Sequence, residues 1–209
     1  HNIILAIVTG RSLSDIRNLV RINKIIYAAN HGFQISSSGK SWIHPDAKRM
    51  IPILLKIEVG LVKVLKDISG ILIENKGLTL SVHYRNVKTE NTLHINNVLK
   101  KVMQPHEEVL KITAGKKVFE VRPCIQWDKG QAILRILKMY RVTDKSIIIF
   151  IGDDKTDEDA FKLLPSRAVT IRVGKNKSSN AKYFVHNTSE VRQILENIIS
   201  LKHNQRDHL

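Results

Sequence analysis

The chain reads Ile147-Ile148-Ile149-Phe150-Ile151-Gly152-Asp153-Asp154-Lys155-Thr156-Asp157-Glu158-Asp159 at the point where an apolar run meets a dense group of acids. A short, continuous β-branched run of this kind is typical of a strand that is buried on both faces of a parallel sheet. Ligands of such sheets bind in the crevice beyond the carboxyl ends of the strands. The stretch therefore predicts an α/β fold with a ligand site where this strand ends.

The acids at this strand end suit a metal ion. Five carboxylates fall within the seven positions from Asp153 to Asp159. Mg²⁺ prefers hard oxygen ligands, keeps several waters and takes one or two protein carboxylates together with substrate phosphate oxygens. Acids at a helix N-terminus also oppose the macrodipole, which accounts for Asp157 to Asp159 but not for Asp153 and Asp154 at the strand exit. We therefore predict a Mg²⁺ site here.

Two further polar motifs fall at the ends of predicted elements. Thr9-Gly10-Arg11 follows the apolar run Ile3–Val8, and Lys129 precedes an amphipathic helix. A hydroxyl and a flexible backbone at a helix start can hydrogen-bond a phosphate, and a lysine can offset its charge. Each motif has an ordinary alternative, since such turns are common, Arg11 can lie on the surface and the chain is rich in lysine. Together with the acids they predict a phosphoryl-transfer site.

Composition excludes several classes of function. The formal net charge is +15, but basic residues are scattered and aromatics make up only 5% of the chain, which argues against a nucleic-acid partner and favours an anionic substrate. No run approaches the roughly 20 apolar residues of a membrane helix. A single cysteine, Cys124, excludes an intramolecular disulfide framework. We therefore predict a cytoplasmic protein without a membrane partner.

The order of elements predicts a core with an insertion. Apolar strands and amphipathic helices alternate at both ends of the chain, whereas the middle reads helix, strand, strand, helix, strand, which is typical of a small α+β lid. We predict core segments at 1–45 and 122–209 around a lid at 46–121. The predicted lid elements are Met50–Ile68, Ile71–Asn75, Thr79–Arg85, Glu90–Met103 and Val118–Val121. A final helix is predicted over Ser189–Leu201, capped by Ser189.

The motifs resemble a known family in their residues and their order. Thr9-Gly10-Arg11, Lys129-Gly130 and Gly152-Asp153-Asp154-x-x-Asp157 are similar to motifs two, three and four of the haloacid-dehalogenase superfamily. Longer stretches resemble its trehalose-6-phosphate phosphatase branch. They are Tyr27-Ala28-Ala29-Asn30-His31-Gly32, Ser81-Val82-His83-Tyr84-Arg85, Phe119-Glu120-Val121-Arg122-Pro123, Trp127-Asp128-Lys129-Gly130 and Gly152-Asp153-Asp154-Lys155-Thr156-Asp157-Glu158-Asp159-Ala160-Phe161.

The resemblance implies a Rossmann-like parallel sheet core of the haloacid-dehalogenase type with an inserted α+β lid. It also implies a phosphoric monoester hydrolase that converts trehalose 6-phosphate, a phosphorylated disaccharide, to trehalose and phosphate with Mg²⁺. Asp153 would ligate the metal, and Asp154 and Asp157 would support it or ligate through water. Thr9 would hydrogen-bond the phosphoryl group, and Lys129 would offset its charge. The implied substrate-binding residues are Gly10, Arg11, Asn30, His31, Gly32, Glu120 and Arg122.

The chain departs from the family in one motif. The first family motif, Asp-x-Asp-Gly-Thr, supplies the attacking aspartate and the general acid and base, and it occurs nowhere in the 209 residues. It would precede His1, so we expect an N-terminally truncated fragment that is inactive by itself. Two alternatives stay open: a related sugar phosphatase of the sucrose phosphate type, and a non-catalytic regulatory module fused to or associated with a trehalose-phosphate synthase.

Overall fold

The computed structural model describes residues 3–204 of the chain, and its α/β class is the one predicted from the sequence. The chain forms two compact units. One comprises residues 6–126, and the other comprises residues 127–209 with residues 1–5, as far as these are described. No helix among the described residues has both the length and the apolar character needed to cross a membrane.

A mixed four-stranded sheet opens the unit of residues 6–126. Its strands are β1 (Ala6–Val8), β2 (Ile26–Ala29), β3 (Gln34–Ser37) and β4 (Lys40–Ile43), in that order, with β1 and β2 parallel. Helix α1 (Leu13–Val20) connects β1 to β2, and the Ser12 side chain caps it by accepting the Asp15 N–H at 3.1 Å. The strands β3 and β4 form an antiparallel hairpin.

A second, antiparallel sheet occupies the predicted lid region. Its strands run in the order β5 (Leu72–Asn75), β6 (Leu80–His83), β8 (Val118–Pro123) and β7 (Leu110–Gly115). The accompanying helices are α2 (Pro45–Arg49), α3 (Ile51–Leu65) and α4 (Asn91–Met103). Buried leucine, isoleucine and valine side chains from α3, α4 and the sheet form one core. The sequence analysis missed β7, an edge strand that buries only Leu110 fully and so lacks clear alternation.

The other unit contains a parallel three-stranded sheet. Its order is β11 (Tyr183–Val185), β10 (Val169–Val173), β9 (Ile149–Gly152). The helices are α5 (Lys129–Met139), α6 (Asp157–Leu163) and α7 (Thr188–Asn204). The predicted cap of the last helix is wrong, because the side-chain oxygen Oδ1 of Asn187 accepts the N–H groups of Ser189 at 2.9 Å and Glu190 at 3.2 Å. The three-residue strand β11 was not predicted.

Two strands are shorter and more exposed than the apolar runs predict. The runs Ile3–Val8 and Ile147–Ile151 were expected to be buried on both faces, yet the strands begin only at Ala6 and Ile149. Ile3 is 56% exposed and Ile147 is 82% exposed. The reason is topological: among the described residues β1 pairs only with β2, and β9 pairs only with β10. Apolar composition does not distinguish such edge strands from central ones.

Candidate functional site

The loop after β9 is organised by the buried carboxylate of Asp157. One oxygen, Oδ2, accepts the backbone N–H groups of Asp153 at 3.0 Å and Asp154 at 2.9 Å. The other, Oδ1, accepts a hydrogen bond from the Lys129 ammonium at 2.8 Å. The side chains of this ion pair are only 8% and 6% exposed. Asp157 therefore shapes the loop from within, and Lys129 compensates its charge.

Gly152, the last residue of β9, makes the close approach of Asp157 possible. A Cβ atom on Gly152 would lie 2.5 Å from both Cγ and Oδ2 of Asp157, well inside any normal contact. The glycine thus has a packing role as well as a place in the acidic motif. Together these contacts hold the turn that follows the end of β9.

Asp153 and Asp154 are exposed at this turn and differ in how much of their hydrogen-bonding capacity is used. The Asp154 carboxylate accepts the Lys155 N–H at 2.6 Å and the Thr156 hydroxyl at 3.3 Å. The Asp153 carboxylate accepts no hydrogen bond from the part of the chain that is described. Asp153 is therefore the acid whose oxygens are available to an external ligand.

The acidic side chains of this loop suit Mg²⁺, which keeps several waters, and do not suit a metal ion held entirely by protein side chains. Among residues 3–204 no group of three or more histidine, cysteine, aspartate or glutamate side chains is arranged to hold a metal ion. Mg²⁺ commonly takes one or two carboxylates and completes its shell with water and phosphate oxygens. Asp153, with Asp154 beside it, meets that requirement. The assignment of Asp157 as a third ligand stays a prediction, because three hydrogen bonds already occupy its oxygens.

In the unit of residues 6–126, the loop after β1 is joined to the turn after β2. The Thr9 carbonyl accepts the His31 N–H at 2.8 Å, and the Arg11 carbonyl accepts the Asn30 N–H at 2.8 Å. A Cβ on Gly10 would lie 2.7 Å from two atoms of the His31 imidazole, so the ring packs directly on this glycine. Two of the predicted motifs, distant in sequence, therefore form one surface.

Arg11 is directed toward its own helix. Its guanidinium donates to Asp15 at 2.6 Å in a pair whose side chains are 54% and 43% exposed. An exposed i, i+4 pair of this type contributes little to stability, typically below about 1 kcal/mol. The geometry matches the surface alternative for Arg11, and its role in substrate binding stays a prediction.

The backbone at Asn30 and His31 is left-handed, with φ values of 50° and 56°. Residues other than glycine rarely adopt this conformation and cost of order 1–3 kcal/mol there unless the surroundings enforce it. Here the surroundings do so: the buried Asn30 amide donates to the Lys76 carbonyl at 3.0 Å and accepts the Thr79 hydroxyl at 3.1 Å. The turn is thus tied to the connection between β5 and β6.

A partly buried charge cluster lies beside this turn. The Glu120 carboxylate on β8 pairs with the His31 Nε2 at 3.0 Å and with the Lys76 ammonium at 3.3 Å. The same ammonium approaches the Gly10 carbonyl at 3.4 Å. Arg122 lies two residues further along β8, with its guanidinium 6.0 Å from the centre of the Phe33 ring. We call Glu120, His31 and Lys76 the Glu120 cluster.

Glu120, His31 and Arg122 were predicted from the sequence as site residues, but Lys76 was not. Lys76 is one of 34 basic residues, and it stands in a turn between two strands where exposed lysines are common. Its burial depends on the fold of the β5–β6 connection, which brings it against β8. A local signal existed in Asn75-Lys76-Gly77, where Gly77 has φ of 84° and defines a tight turn. These residues predict a turn, but they do not predict that Lys76 pairs with Glu120.

The cluster holds Glu120 in its ionised form. Burial opposes ionisation, but the hydrogen bond from His31 and the charges of His31, Lys76 and Arg122 outweigh burial and lower the pKa of Glu120 from 4.5 to about 2. Because the folded-state pKa lies below the unfolded value, Glu120 stabilises the fold above pH 4.5, and this contribution is lost as the pH falls toward 2.

We therefore expect the difference in unfolding free energy between the wild-type chain and Glu120→Gln to shrink by about 3 kcal/mol as the pH falls from about 5 to about 2. Urea unfolding at a series of pH values measures it. Glu196→Gln removes a more exposed carboxylate, paired with Arg192 at 2.7 Å, and serves as the control with a small pH-dependent difference. A pH-independent difference for Glu120→Gln would contradict the assignment.

The family model described as Trehalose-phosphatase matches residues 1–189. The chain belongs to the trehalose-phosphatase family. It is 39% identical over 211 aligned positions to trehalose-phosphate phosphatase B of Arabidopsis thaliana, with 94% of this chain and 56% of that protein covered. It is 35% identical to the probable trehalose-phosphate phosphatase 4 of Oryza sativa subsp. japonica, at the same coverage of 94% and 56%.

Solved structures give the same result for the fold. A crystal structure of a trehalose-6-phosphate phosphatase related protein superposes with a TM-score of 0.82 at 25% identity, covering 96% of this chain and 82% of that one. The C-terminal domain of the C. albicans trehalose-6-phosphate phosphatase gives a TM-score of 0.67 at 21% identity, covering 92% and 76%. The family resemblance and the α/β fold are thereby confirmed. The trehalose-phosphatase chain spans just over half the length of the curated relatives it matches.

The structure groups the predicted site residues within each unit. Residues 127–209 bring Lys129, Asp153, Asp154 and Asp157 into one hydrogen-bonded loop. Residues 6–126 bring Thr9, Gly10, His31 and Glu120 together, with Asn30 buried in the same turn. The roles of these residues in metal, phosphate and sugar binding stay predictions.

Proposed function

We propose that this trehalose-phosphatase chain supplies the metal-binding and substrate-binding parts of an enzyme that hydrolyses trehalose 6-phosphate to trehalose and phosphate. Family membership supports the reaction class. The observation that carries the proposal is the free, exposed carboxylate of Asp153 on a loop whose neighbouring acid, Asp157, is already neutralised by Lys129. Such a loop keeps one acid for an external cation while the rest of its charge is internally balanced.

Asp153 and Asp154 would hold Mg²⁺, and Asp157 would hold their backbone. When bound, Mg²⁺ neutralises the negative charge of the phosphoryl group. Lys129 donates one hydrogen bond to Asp157, and an ammonium has two further protons with which to meet a phosphate oxygen. Mg²⁺ dependence is therefore part of this proposal, and the residues present suit it.

Thr9 is suited to contact the phosphoryl group. Its hydroxyl oxygen accepts the Arg11 N–H at 3.2 Å, which leaves the hydroxyl proton to donate. We infer that the sugar hydroxyls contact the Glu120 cluster, with the ionised carboxylate as an acceptor and Lys76 as a donor. Asn30 and Gly32 are buried in the turn that carries His31, and Arg122 lies two residues from Glu120 on β8. Within the unit of residues 6–126, Thr9 would thus meet the phosphoryl group and the Glu120 cluster would meet the sugar.

Chemistry at phosphorus needs two groups that the family resemblance assigns to an Asp-x-Asp-Gly-Thr motif. One aspartate attacks the phosphorus and forms an acyl phosphate, while the other protonates the sugar oxygen and then activates the water. This motif does not occur in the 209-residue sequence. We therefore propose that the 209-residue chain binds its substrate without hydrolysing it, and that a longer polypeptide carrying the motif ahead of residue 1 is the active form.

Titration calorimetry with trehalose 6-phosphate and Mg²⁺ tests this proposal together with a phosphate-release assay. The 209-residue chain should bind the sugar phosphate more tightly with Mg²⁺ than without it and release no phosphate. Asp153→Asn should weaken the Mg²⁺-dependent binding by about 10-fold or more, because a neutral amide is a poor Mg²⁺ ligand. Asp67→Asn changes an exposed acid elsewhere and should leave it unchanged. Phosphate release by this chain alone would contradict the proposal.

A regulatory, non-catalytic module is the second candidate, favoured by the absence of the Asp-x-Asp-Gly-Thr motif from the sequence. One structure with a similar fold, at 14% identity and a TM-score of 0.64, is named as the C-terminal domain of the Candida albicans trehalose synthase regulatory protein. The longer polypeptide distinguishes the two candidates, since a regulatory module would bind trehalose 6-phosphate and release no phosphate in either form. Sucrose 6-phosphate, run in parallel, tests the related sugar specificity.

A further inference from the structure

The peptide group between Asp153 and Asp154 is held on both sides by side chains. Its carbonyl oxygen accepts a hydrogen bond from the Arg172 Nη2 at 3.0 Å. Its N–H donates to the Asp157 Oδ2 at 2.9 Å. The angles ψ of Asp153 and φ of Asp154 set the directions of the two candidate metal ligands relative to each other, and a change in either angle alone would redirect them. The two hydrogen bonds therefore oppose a motion that matters to the metal end of the site.

Arg172 reaches this carbonyl because of the register of the sheet. It lies on β10 opposite Gly152, the last residue of β9, so its side chain extends past the strand end toward the turn. Its other terminal nitrogen, Nη1, pairs with Glu158 at 2.9 Å, and both side chains are 15% exposed. The guanidinium thus bridges a carboxylate in the first turn of α6 and the backbone of the acidic loop.

Glu158 in turn fixes the segment that follows β10. Its carboxylate accepts the Ser179 hydroxyl at 2.7 Å, the Asn180 N–H at 2.8 Å and the Asn180 side-chain amide at 3.1 Å. Together with the bond from Arg172, the Glu158 carboxylate therefore accepts four hydrogen bonds. A charged group with so many partners is held in a single orientation, and so is the guanidinium bonded to it.

We propose that Arg172 and Glu158 are positioning residues for the metal end of the site, and this proposal rests on the proposed Mg²⁺ site at Asp153 and Asp154. The Lys129–Asp157 pair fixes the N–H of the shared peptide, and the Arg172–Glu158 pair fixes its carbonyl. Groups that orient metal ligands without touching the metal typically change metal affinity or activity by about 10- to 100-fold when they are replaced.

Arg172→Lys is the most informative variant. It keeps the positive charge, but one ammonium cannot span both Glu158 and the Asp153 carbonyl in the way that two guanidinium nitrogens do. We expect the affinity for Mn²⁺, measured by electron paramagnetic resonance as a probe of the Mg²⁺ site, to fall by about 10-fold. We also expect the Asp154 amide hydrogen to exchange at least about 5-fold faster in the metal-free protein, since the peptide is no longer held at its carbonyl.

Two controls separate positioning from a general loss of structure. Arg192→Lys alters an exposed pair with Glu196 in the same unit and should change neither measurement. Glu158→Gln keeps hydrogen-bonding capacity for Ser179 and removes the ion pair to Arg172, so it should reproduce the faster Asp154 exchange with little change in the exchange of amides in α5. Uniformly faster exchange throughout residues 127–204 would mean that these side chains only support the fold, and would overturn the inference.

The outcomes also separate this inference from the proposed function. If the wild-type chain binds Mn²⁺ and Arg172→Lys binds it equally well, the positioning role is overturned while the metal site stands. If the wild-type chain binds no Mn²⁺, the proposed metal site is overturned, and the hold on the peptide is then judged by Asp154 exchange alone. Equal exchange in the wild type and Arg172→Lys overturns it in that case as well.

Discussion

Replacing Lys129 with methionine should lower the free energy of unfolding by about 3–5 kcal/mol, the range observed when one partner of a buried ion pair is removed. The pair with Asp157 is 2.8 Å long, and both side chains are more than nine-tenths buried. Methionine fills much of the lysine volume, so the loss comes mainly from the uncompensated charge on Asp157. Urea unfolding monitored by circular dichroism measures it.

A double variant isolates the cause. Adding Asp157→Asn to Lys129→Met removes the uncompensated negative charge of Asp157. The amide oxygen that replaces the carboxylate can still accept the N–H groups of Asp153 and Asp154. The double variant should therefore unfold at higher urea concentration than Lys129→Met alone. Arg192→Met, which breaks an exposed pair, should cost less than about 1 kcal/mol. A similarly small effect for Lys129→Met would show that its ion pair is not buried in solution.

Replacing Gly152 with alanine should destabilise the same loop by about 4 kcal/mol, because overpacking costs about 1–3 kcal/mol and charge-assisted hydrogen bonds of Asp157 are lost as well. The added Cβ would lie 2.5 Å from the Asp157 Cγ. Asp157 cannot withdraw freely, since Lys129 and two backbone N–H groups hold it. Urea unfolding gives the change, and amide exchange at Asp153 and Asp154 locates it.

Gly60→Ala is the matched control for this substitution. Gly60 lies within helix α3, and an added Cβ there would meet its nearest neighbour, a Val102 methyl carbon, at an ordinary 3.7 Å. Alanine has the higher helix propensity, so the same chemical change should stabilise the chain by up to about 1 kcal/mol. Opposite signs at the two glycines would locate the effect in the contact with Asp157. A neutral Gly152→Ala would mean that the acidic loop rearranges at little cost.

The sequence predicted the motifs of the site better than the partners of each side chain. Asp153, Thr9 and Lys129 were found because residue type and position after a strand or before a helix are local properties. The Asp157 carboxylate was predicted to support or ligate a metal, but its three hydrogen bonds depend on the turn that follows β9. Lys76 and Arg172 were missed for the same reason, since their partners belong to other elements of the fold.

The fold class was predictable, and the extent of its strands was not. Hydrophobic periodicity predicted α3 and α4 to within a few residues, because an amphipathic helix shows its buried face over many positions. The strands β7 and β11 are short or lie at an edge, and their few buried residues leave no clear pattern. The exposed isoleucines beside β1 and β9 show the reverse case, in which composition predicts burial but sheet order decides it.

If sugar hydroxyls bind at the Glu120 cluster as proposed, the partners that Glu120 already has would compete with the sugar. Its carboxylate is already bonded to His31 and Lys76, which are tethered beside it by the fold. A sugar hydroxyl that approaches Glu120 must therefore exchange with one of these tethered partners, and only the difference between the two hydrogen bonds contributes to affinity. A sugar hydroxyl that takes the position of the displaced partner replaces its hydrogen bond to Glu120. A hydroxyl placed elsewhere leaves a weaker hydrogen bond and lowers the affinity. Discrimination between sugars would then arise from imperfect exchange more than from the number of contacts formed.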